Sequence, residues 1–256
     1  MLPDLRRFAN TTRAIAADWS SRPFSNDTWT STGIVWGNTN NRPLQVVNAH
    51  GLAGVQKPGH DQPTNPFTAA TEKIVADLAH CISLPVPPVT LWDRGAGAVP
   101  QYVAVSAWAY DNVLTWGQAA GALSQAQSAQ LLPWASAMLP FESWISATDR
   151  QNPGNVLVSL APSGEILGAW IDYSFSLDYS WKGNHIQACN IPPLYPPVGA
   201  AVQADMIEVA ERIKGMDNTA IEGIVNRIPI EYLPRGIADN ILRNLLSRRD
   251  TVRALF

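Results

Sequence analysis

The pattern that most constrains the fold lies in residues 141–174. A polar loop, 149–155, carries Asp149 and Asn155, and proline is its only apolar residue. Two short apolar segments joined by a Pro-Ser-Gly turn follow the loop, and Asp172 comes directly after the second of them. This pattern predicts a β-hairpin. Because the two ends of a hairpin lie on the same side, we expect Asp149, Asn155 and Asp172 to converge.

Such a convergence has the chemistry that phosphoryl transfer requires. One carboxylate, Asp149, would accept or orient the hydroxyl nucleophile, while Asn155 and Asp172 would hold Mg²⁺, which prefers oxygen ligands. The order of these residues is that of a kinase catalytic loop followed by a metal-binding aspartate. The alternative is a hairpin with a solvated polar turn, which this segment alone would favour, because Asp, Asn, Gly and Pro are ordinary turn residues.

The earlier part of the chain contains two further candidates for a phosphoryl-transfer site, a lysine and a glutamate. Residues 31–58 have the pattern of a β-meander, and Lys57 ends its third strand, where a lysine can bind the α- and β-phosphates. Asn65 and Pro66 predict the start of a helix, and Glu72 in its second turn could hold that lysine in place. The alternatives are a surface lysine and a solvated glutamate. The glycine-containing turn 37–41 is only a weak candidate for a phosphate-binding loop.

The remaining pattern predicts two lobes. Residues 101–110 form an apolar strand that ends in a polar linker, and we expect the adenine of ATP to lie against the backbone there, at Ser106, Trp108 and Tyr110. We therefore predict an α+β fold with a β-rich N-terminal lobe, residues 1–110, and a larger helical C-terminal lobe, residues 111–256.

Several helices are expected from the spacing of apolar residues. Residues 5–17 could form the first helix, with Trp19 as an anchor, and residues 112–147 are mostly helical in pattern. Within the latter, Ser124 is expected to cap a helix after a break. The chain is again helical from residue 205 onward.

Composition excludes several classes of function. Hydrophobic residues make up 46% and charged residues 15% of the 256 residues, which is typical of a globular chain with a sizeable core. A net charge of −3 gives no electrostatic footprint for nucleic acid. No apolar run approaches the roughly 20 residues that a membrane span needs. Cys81 and Cys189 have no metal or redox spacing, so reduced thiols and a cytoplasmic location are expected.

The ordered set of motifs resembles the HipA-like kinase family, in particular its short stand-alone branch. The resemblance covers roughly residues 45–250 and rests on these segments: Val55–Pro58, Asn65–Glu72, Leu84–Val89, Asp149–Asn155, Ile171–Asp172 and Ile228–Leu233.

The resemblance implies a two-lobed kinase that uses ATP and Mg²⁺. Lys57 would bind phosphate, Glu72 would anchor it, Asp149 would be the catalytic base, and Asn155 and Asp172 would be magnesium ligands. The implied acceptor is a protein Ser/Thr hydroxyl. Family members can be toxins held by an antitoxin-like partner protein.

Departures from the family pattern leave alternatives open. Asp149 and Asn155 are six residues apart rather than five, so Asn152 is an alternative metal ligand. Gln151 stands where relatives have histidine, and Ser174 stands in place of the usual glycine. These differences are compatible with a pseudokinase that only binds a nucleotide or a protein. The Asp-Arg-x-x-x-x-Asn loop is also similar to that of phosphatidylinositol kinases. A third alternative is an unrelated α+β structural protein.

Overall fold

The structure is a computed structural model. It describes all of the chain except residues 1, 3, 37–42, 58–65, 96–101, 151, 162 and 178–201. The candidate phosphate-binding turn, the helix cap at Asn65, the departure at Gln151 and the thiol of Cys189 therefore lie outside the described residues. In the part of the chain that is described, none of the helices has the length and apolar character needed to cross a membrane.

Two antiparallel sheets form the β structure of the described residues. Their strands are β1 (Trp29–Val35), β2 (Leu44–Asn48), β3 (Ala53–Lys57), β4 (Val89–Asp93), β5 (Tyr102–Ala107), β6 (Leu114–Thr115), β7 (Val156–Leu160) and β8 (Ile166–Trp170). The first five strands make one sheet in the order β1-β2-β3-β5-β4, and the last three make a second sheet in the order β6-β7-β8. The predicted hairpin is β7–β8, with Val156 paired to Trp170 at its open end.

The helices lie mainly in the C-terminal part of the chain. They are α1 (Arg13–Ser21), α2 (Thr68–Cys81), α3 (Trp116–Ala122), α4 (Gln125–Gln130), α5 (Leu132–Trp144), α6 (Gln203–Lys214), α7 (Asn218–Asn226) and α8 (Arg235–Val252). Single turns of 3-10 helix occur at Pro153–Asn155 and Arg253–Leu255. The architecture is the predicted one: an antiparallel sheet in the N-terminal region and helices in the C-terminal part.

The first two helices begin later than the sequence pattern predicts. Residues near Leu5 are not helical: the Leu5 amide donates to the carbonyl of Ser83, and its buried side chain joins the main core. Helix α1 begins after Thr12, whose hydroxyl accepts from the Ile15 amide. Helix α2 begins at Thr68 rather than at Pro66, because Phe67 still has a non-helical backbone conformation.

Local sequence signals elsewhere are confirmed. The Ser124 hydroxyl accepts from the Gln127 amide at the start of α4, and the Gln127 side chain completes a reciprocal cap. Gly54 permits β3 to lie close to β5, since a Cβ atom there would be 2.6 Å from a Val105 methyl carbon. This close pairing fixes the strand that ends in Lys57.

Helix α2 is enclosed by its neighbours. Twelve of its fourteen residues are buried, so it has almost no solvated face. Lys73 is fully buried and donates to both carboxylate oxygens of Asp77 at 2.6 Å and to the Trp19 carbonyl at 2.9 Å. The last of these contacts attaches the end of α1 to α2, while α7 packs on α2 as well. The buried Lys73–Asp77 ion pair adds little to the free energy of unfolding, because the cost of desolvating two charges offsets much of their attraction. Its main effect is to fix the positions of the two side chains.

His80 near the end of α2 makes folding sensitive to acid. Burial, together with the positive charge of Arg6, whose Nη1 lies 3.2 Å from His80 Nε2, lowers the pKa of His80 to about 4. The unfolded chain takes up this proton near pH 6.5, before the folded protein does, so stability falls as the pH drops from 6.5 towards 4. Because the ring is only partly buried, we expect a loss of about 1–2 kcal/mol.

The variant His80→Gln should lack this component of the acid sensitivity. The measurement is the free energy of unfolding by denaturant at several pH values between 7 and 4.5. The matched control is His50→Gln, because His50 is exposed. Identical pH dependence in the wild type and the His80 variant would show that this assignment is wrong.

Candidate active site

Three charged side chains from distant parts of the sequence meet between the sheet and the helical region. Lys57 Nζ lies 2.6 Å from Glu72 Oε1 and 3.3 Å from Asp172 Oδ1. Lys57 comes from the end of β3, Glu72 from α2, and Asp172 from the segment after β8. The structure therefore brings together the lysine, the glutamate and the second aspartate of the predicted set.

Pairing within the sheet and one backbone contact hold this cluster in place. Lys57 is opposite Ala104 in the β3–β5 register. Glu72 Oε1 accepts from Lys57 and also from the backbone amide of Tyr173 at 2.9 Å. One carboxylate oxygen thus links β3, α2 and the residue that follows Asp172.

The electrostatics of the cluster are those of a buried cation shared by two carboxylates. Burial works to lower the pKa of Lys57, but Asp172 and Glu72 outweigh it and raise that pKa. Burial likewise works to raise the pKa of Asp172, but Lys57 and the Ser174 hydroxyl outweigh it and lower that pKa. Burial raises the pKa of Glu72 even though Lys57 opposes this shift. Lys57 and Asp172 are therefore charged near neutral pH.

Asp172 has an unusual backbone conformation. Its φ is +61°, a left-handed value that aspartate tolerates better than most residues. The Ser174 hydroxyl donates to Asp172 Oδ1 at 2.9 Å, so the serine that replaces the family's glycine contacts the metal-ligand candidate directly.

The other three predicted residues, Asp149, Asn152 and Asn155, lie in the loop before β7. Asn155 is buried, and its amide nitrogen donates to the Asp149 carbonyl at 2.8 Å and lies 3.4 Å from Asp149 Oδ2. Asn152 is exposed, and its side-chain oxygen accepts from the Gly154 amide at 3.0 Å, which caps the single 3-10 turn. The two asparagines are therefore in different environments: Asn155 faces Asp149, whereas Asn152 stabilises the turn.

A mostly apolar pocket extends from Lys57 to the segment after β5. The three residues predicted to contact adenine all line it. The complete lining comes from both sheets and from the segments next to their strands, and consists of Val55, Lys57, Pro87, Ser106, Ala107, Trp108, Ala109, Tyr110, Val113, Leu157 and Ile171. The Tyr110 hydroxyl lies 2.9 Å from the Arg7 carbonyl and 3.2 Å from the Gly168 carbonyl, and its single hydrogen is donated to this pair of acceptors. Trp108 packs against the partly exposed ring of Trp36, with ring centroids 4.9 Å apart.

Sequence reasoning gave no role to Arg150 or Glu142. Both are buried, and Arg150 Nε donates to Glu142 Oε1 at 2.8 Å. The available signal was that Glu142 is the only charged residue in the apolar helix α5, because a charge in such a setting needs a buried partner.

The two metal-ligand candidates carry oxygen atoms of the type that a divalent cation prefers. Asn155 and Asp172 offer amide and carboxylate oxygens, which suit Mg²⁺, and magnesium sites of this kind are completed by substrate phosphates. Among the described residues, no group of three or more His, Cys, Asp or Glu side chains could hold a metal ion by itself. A shared site of this type needs fewer protein ligands than that.

Comparison with solved structures identifies the fold. The Helicobacter pylori proinflammatory kinase CtkA is 12% identical to this chain, with a TM-score of 0.58, and the match covers 92% of this chain and 98% of that one. The FAT and kinase domain of CtTel1 is 10% identical, with a TM-score of 0.51, and the match covers 84% of this chain and 21% of that one. No protein-family model matches the sequence, and neither does any curated protein.

The chain therefore has a protein-kinase-like fold. At this level of identity the likeness concerns the fold alone, because one fold hosts many functions.

Proposed function

We propose that this protein is an ATP- and Mg²⁺-dependent phosphotransferase. The observation that carries the proposal is the Lys57–Glu72–Asp172 cluster, which lies at one end of the pocket lined by Ser106, Trp108 and Tyr110. A cation held in place by a helix glutamate, next to an aspartate that follows a strand, has the arrangement used to bind nucleotide phosphates and metal.

Each side chain then has a defined task. Lys57 binds phosphate oxygens and is oriented by Glu72, and the adenine lies in the pocket against the backbone between Ser106 and Tyr110. Asn155 and Asp172 would hold Mg²⁺, which when bound would neutralise charge on the phosphates. The capping role of Asn152 favours Asn155 as the metal ligand at the end of this loop.

Asp149 is the proposed catalytic base. It is half-buried, and its carboxylate lies beside Asn155. It would accept the proton of the acceptor hydroxyl while that oxygen bonds to the γ-phosphorus. The bond from the γ-phosphorus to the bridging oxygen breaks in the same transfer, and ADP leaves.

The acceptor is proposed to be a protein Ser/Thr hydroxyl, on this chain or on another protein. That choice, the HipA-like branch and an antitoxin-like partner rest on the sequence resemblance. The proposed cytoplasmic location rests instead on the lack of metal or redox spacing at Cys81 and Cys189. A phosphatidylinositol acceptor is the alternative based on the Asp-Arg loop. Incubation with radiolabelled ATP and either a protein mixture or phosphatidylinositol vesicles separates the two acceptors.

A nucleotide-binding protein without transfer activity is a second candidate. Two observations favour it: Ser174 donates to the metal-ligand candidate Asp172, and Lys57 contacts the same carboxylate oxygen. Mg²⁺ would have to compete with both contacts. This candidate predicts nucleotide binding without labelling of any acceptor.

Thermal unfolding with and without ATP and Mg²⁺ tests both candidates. Ligand present at 100 times its Kd stabilises the folded state by about 2.7 kcal/mol, so we expect the melting temperature to rise by about 5 °C or less. Lys57→Met should remove most of this rise, and Lys214→Met on α6 is the matched control. No rise in the wild type would contradict both candidates, whereas a rise without labelling would favour the second.

A further inference from the structure

Arg150 is a buried cation for which the proposed reaction has no direct use. Its side chain is only 1% exposed, and Glu142 on α5 supplies the opposite charge. The guanidinium also lies 4.5 Å from the centre of the Tyr173 ring, and the Tyr173 hydroxyl is 3.4 Å from Glu142 Oε1. Arg150 is thus enclosed by charged and aromatic groups of the protein itself.

The remaining donors of Arg150 point to the backbone of the two segments that carry the metal-ligand candidates. Nη1 donates to the carbonyls of Ile171 and Asp172, at 3.0 and 2.9 Å. Nη2 donates to the carbonyl of Asn155 at 3.2 Å, and that carbonyl also accepts from the Ile171 amide at 2.9 Å. One side chain therefore connects the peptide groups of Asn155 and Asp172.

The chemistry of arginine makes this connection a fixed spacer. A guanidinium is planar and presents its five N–H donors in a rigid fork, so the three carbonyls are held at set positions relative to one another. Lysine has a single ammonium on a flexible stem and cannot reproduce that fork. The left-handed backbone of Asp172 increases the need for such a spacer, since strained residues persist only where their surroundings hold them.

We propose that Arg150, itself held by Glu142, is a positioning residue that sets the spacing and orientation of Asn155 and Asp172 for a divalent cation. This inference rests on the proposed function, since it assumes that a nucleotide and a metal ion share the site. Partners of metal ligands commonly change metal affinity by about 10–100-fold when they are removed.

The variants Arg150→Lys and Glu142→Gln test this proposal. The measured quantity is the Mg²⁺ concentration that gives half of the ATP-induced rise in melting temperature, and the same midpoint for phosphate transfer. We expect Arg150→Lys to raise both midpoints about tenfold or more. Glu142→Gln should raise them by a smaller factor, because it keeps the shape of the side chain and loses its charge.

The matched control is Arg248→Lys. Arg248 is equally buried, and its Nε donates to the Trp144 carbonyl at 2.5 Å, but its side chain contacts neither metal-ligand candidate in the described structure. This variant should lower the melting temperature of the free protein and leave both Mg²⁺ midpoints within twofold of the wild type. A general loss of stability would therefore not be mistaken for a positioning effect.

The outcomes separate this inference from the proposed function. Midpoints of Arg150→Lys within twofold of the wild type, or shifted no more than those of Arg248→Lys, would overturn the inference alone. If Arg150→Lys does not fold, Glu142→Gln decides in the same way. A wild type that responds to ATP and Mg²⁺ without transfer would overturn the proposed function alone, and a wild type with neither response would overturn both.

Discussion

Replacing Asp172 with asparagine is expected to lower the rate of phosphate transfer by about 10³-fold. A bound metal ion supplies several kcal/mol of charge stabilisation to a phosphoryl transition state, and each 1.36 kcal/mol changes the rate tenfold. Asparagine keeps the shape and one oxygen of the side chain but lacks its negative charge. We therefore also expect the ATP- and Mg²⁺-dependent rise in melting temperature to become much smaller.

The same substitution has a pH-dependent effect on the free protein. Burial of Asp172 is outweighed by Lys57 and Ser174, so the pKa of this carboxyl is lowered in the folded protein. The carboxylate then contributes stability above the unfolded pKa near 4, and this contribution disappears as the pH falls through the folded pKa. The variant should melt below the wild type at pH 7, and the difference should shrink towards pH 3.

The control for Asp172→Asn is Asp239→Asn, because Asp239 is exposed on α8. It should keep the wild-type transfer rate and melting behaviour. If Asp172→Asn retained more than about a tenth of the wild-type rate, the assignment of Asp172 as the main metal ligand would be wrong.

Replacing Asp149 with asparagine is expected to lower the transfer rate by about 10²–10⁴-fold, the usual contribution of a general base. Unlike the change at Asp172, it should leave the response of the melting temperature to ATP and Mg²⁺ largely intact. The reason is that Asp149 is proposed to act on the acceptor hydroxyl rather than on the nucleotide. The measurements are single-turnover transfer of labelled phosphate and thermal unfolding of the same preparation.

The contrast between the two aspartates is itself informative. Asp239→Asn serves again as the control for a lost surface carboxylate. A transfer rate within threefold of the wild type in Asp149→Asn would show that another group, or none, accepts the proton. Loss of the nucleotide response in this variant would place Asp149 among the metal ligands instead.

Local patterns predicted much of the fold. Short apolar segments and the turn residues between them predicted the β7–β8 hairpin and the position of Lys57 at the end of β3. The cap at Ser124 follows from the side-chain chemistry of serine within a few residues. The predicted start of α1 was wrong by eight residues and that of α2 by two, and a tertiary contact accounts for the first of these differences. The Leu5 amide pairs with the Ser83 carbonyl, which no local preference could indicate.

In the candidate site, too, the sequence predicted the side chains involved but not all of the hydrogen bonds that connect them. The order of motifs predicted which side chains belong together, and the structure brings Lys57, Glu72 and Asp172 within hydrogen-bonding distance. Two sets of hydrogen bonds depend on the three-dimensional arrangement alone. In the first, the Tyr173 amide donates to Glu72; in the second, the Arg150 guanidinium donates to the carbonyls of Asn155 and Asp172. Both involve backbone atoms, which carry no residue-specific signal in a sequence.

The enclosure of α2 limits how such a protein could be switched on and off. A helix with one solvated side can rotate and withdraw its glutamate, but twelve of the fourteen α2 residues are covered, and Lys73 attaches the helix to the end of α1. Swinging α2 outward would expose buried apolar surface and break the hydrogen bond from Lys73 to the Trp19 carbonyl. Activity could instead be controlled by a molecule that blocks the pocket beside Lys57, or by the amount of protein present. Neither would require α2 to move.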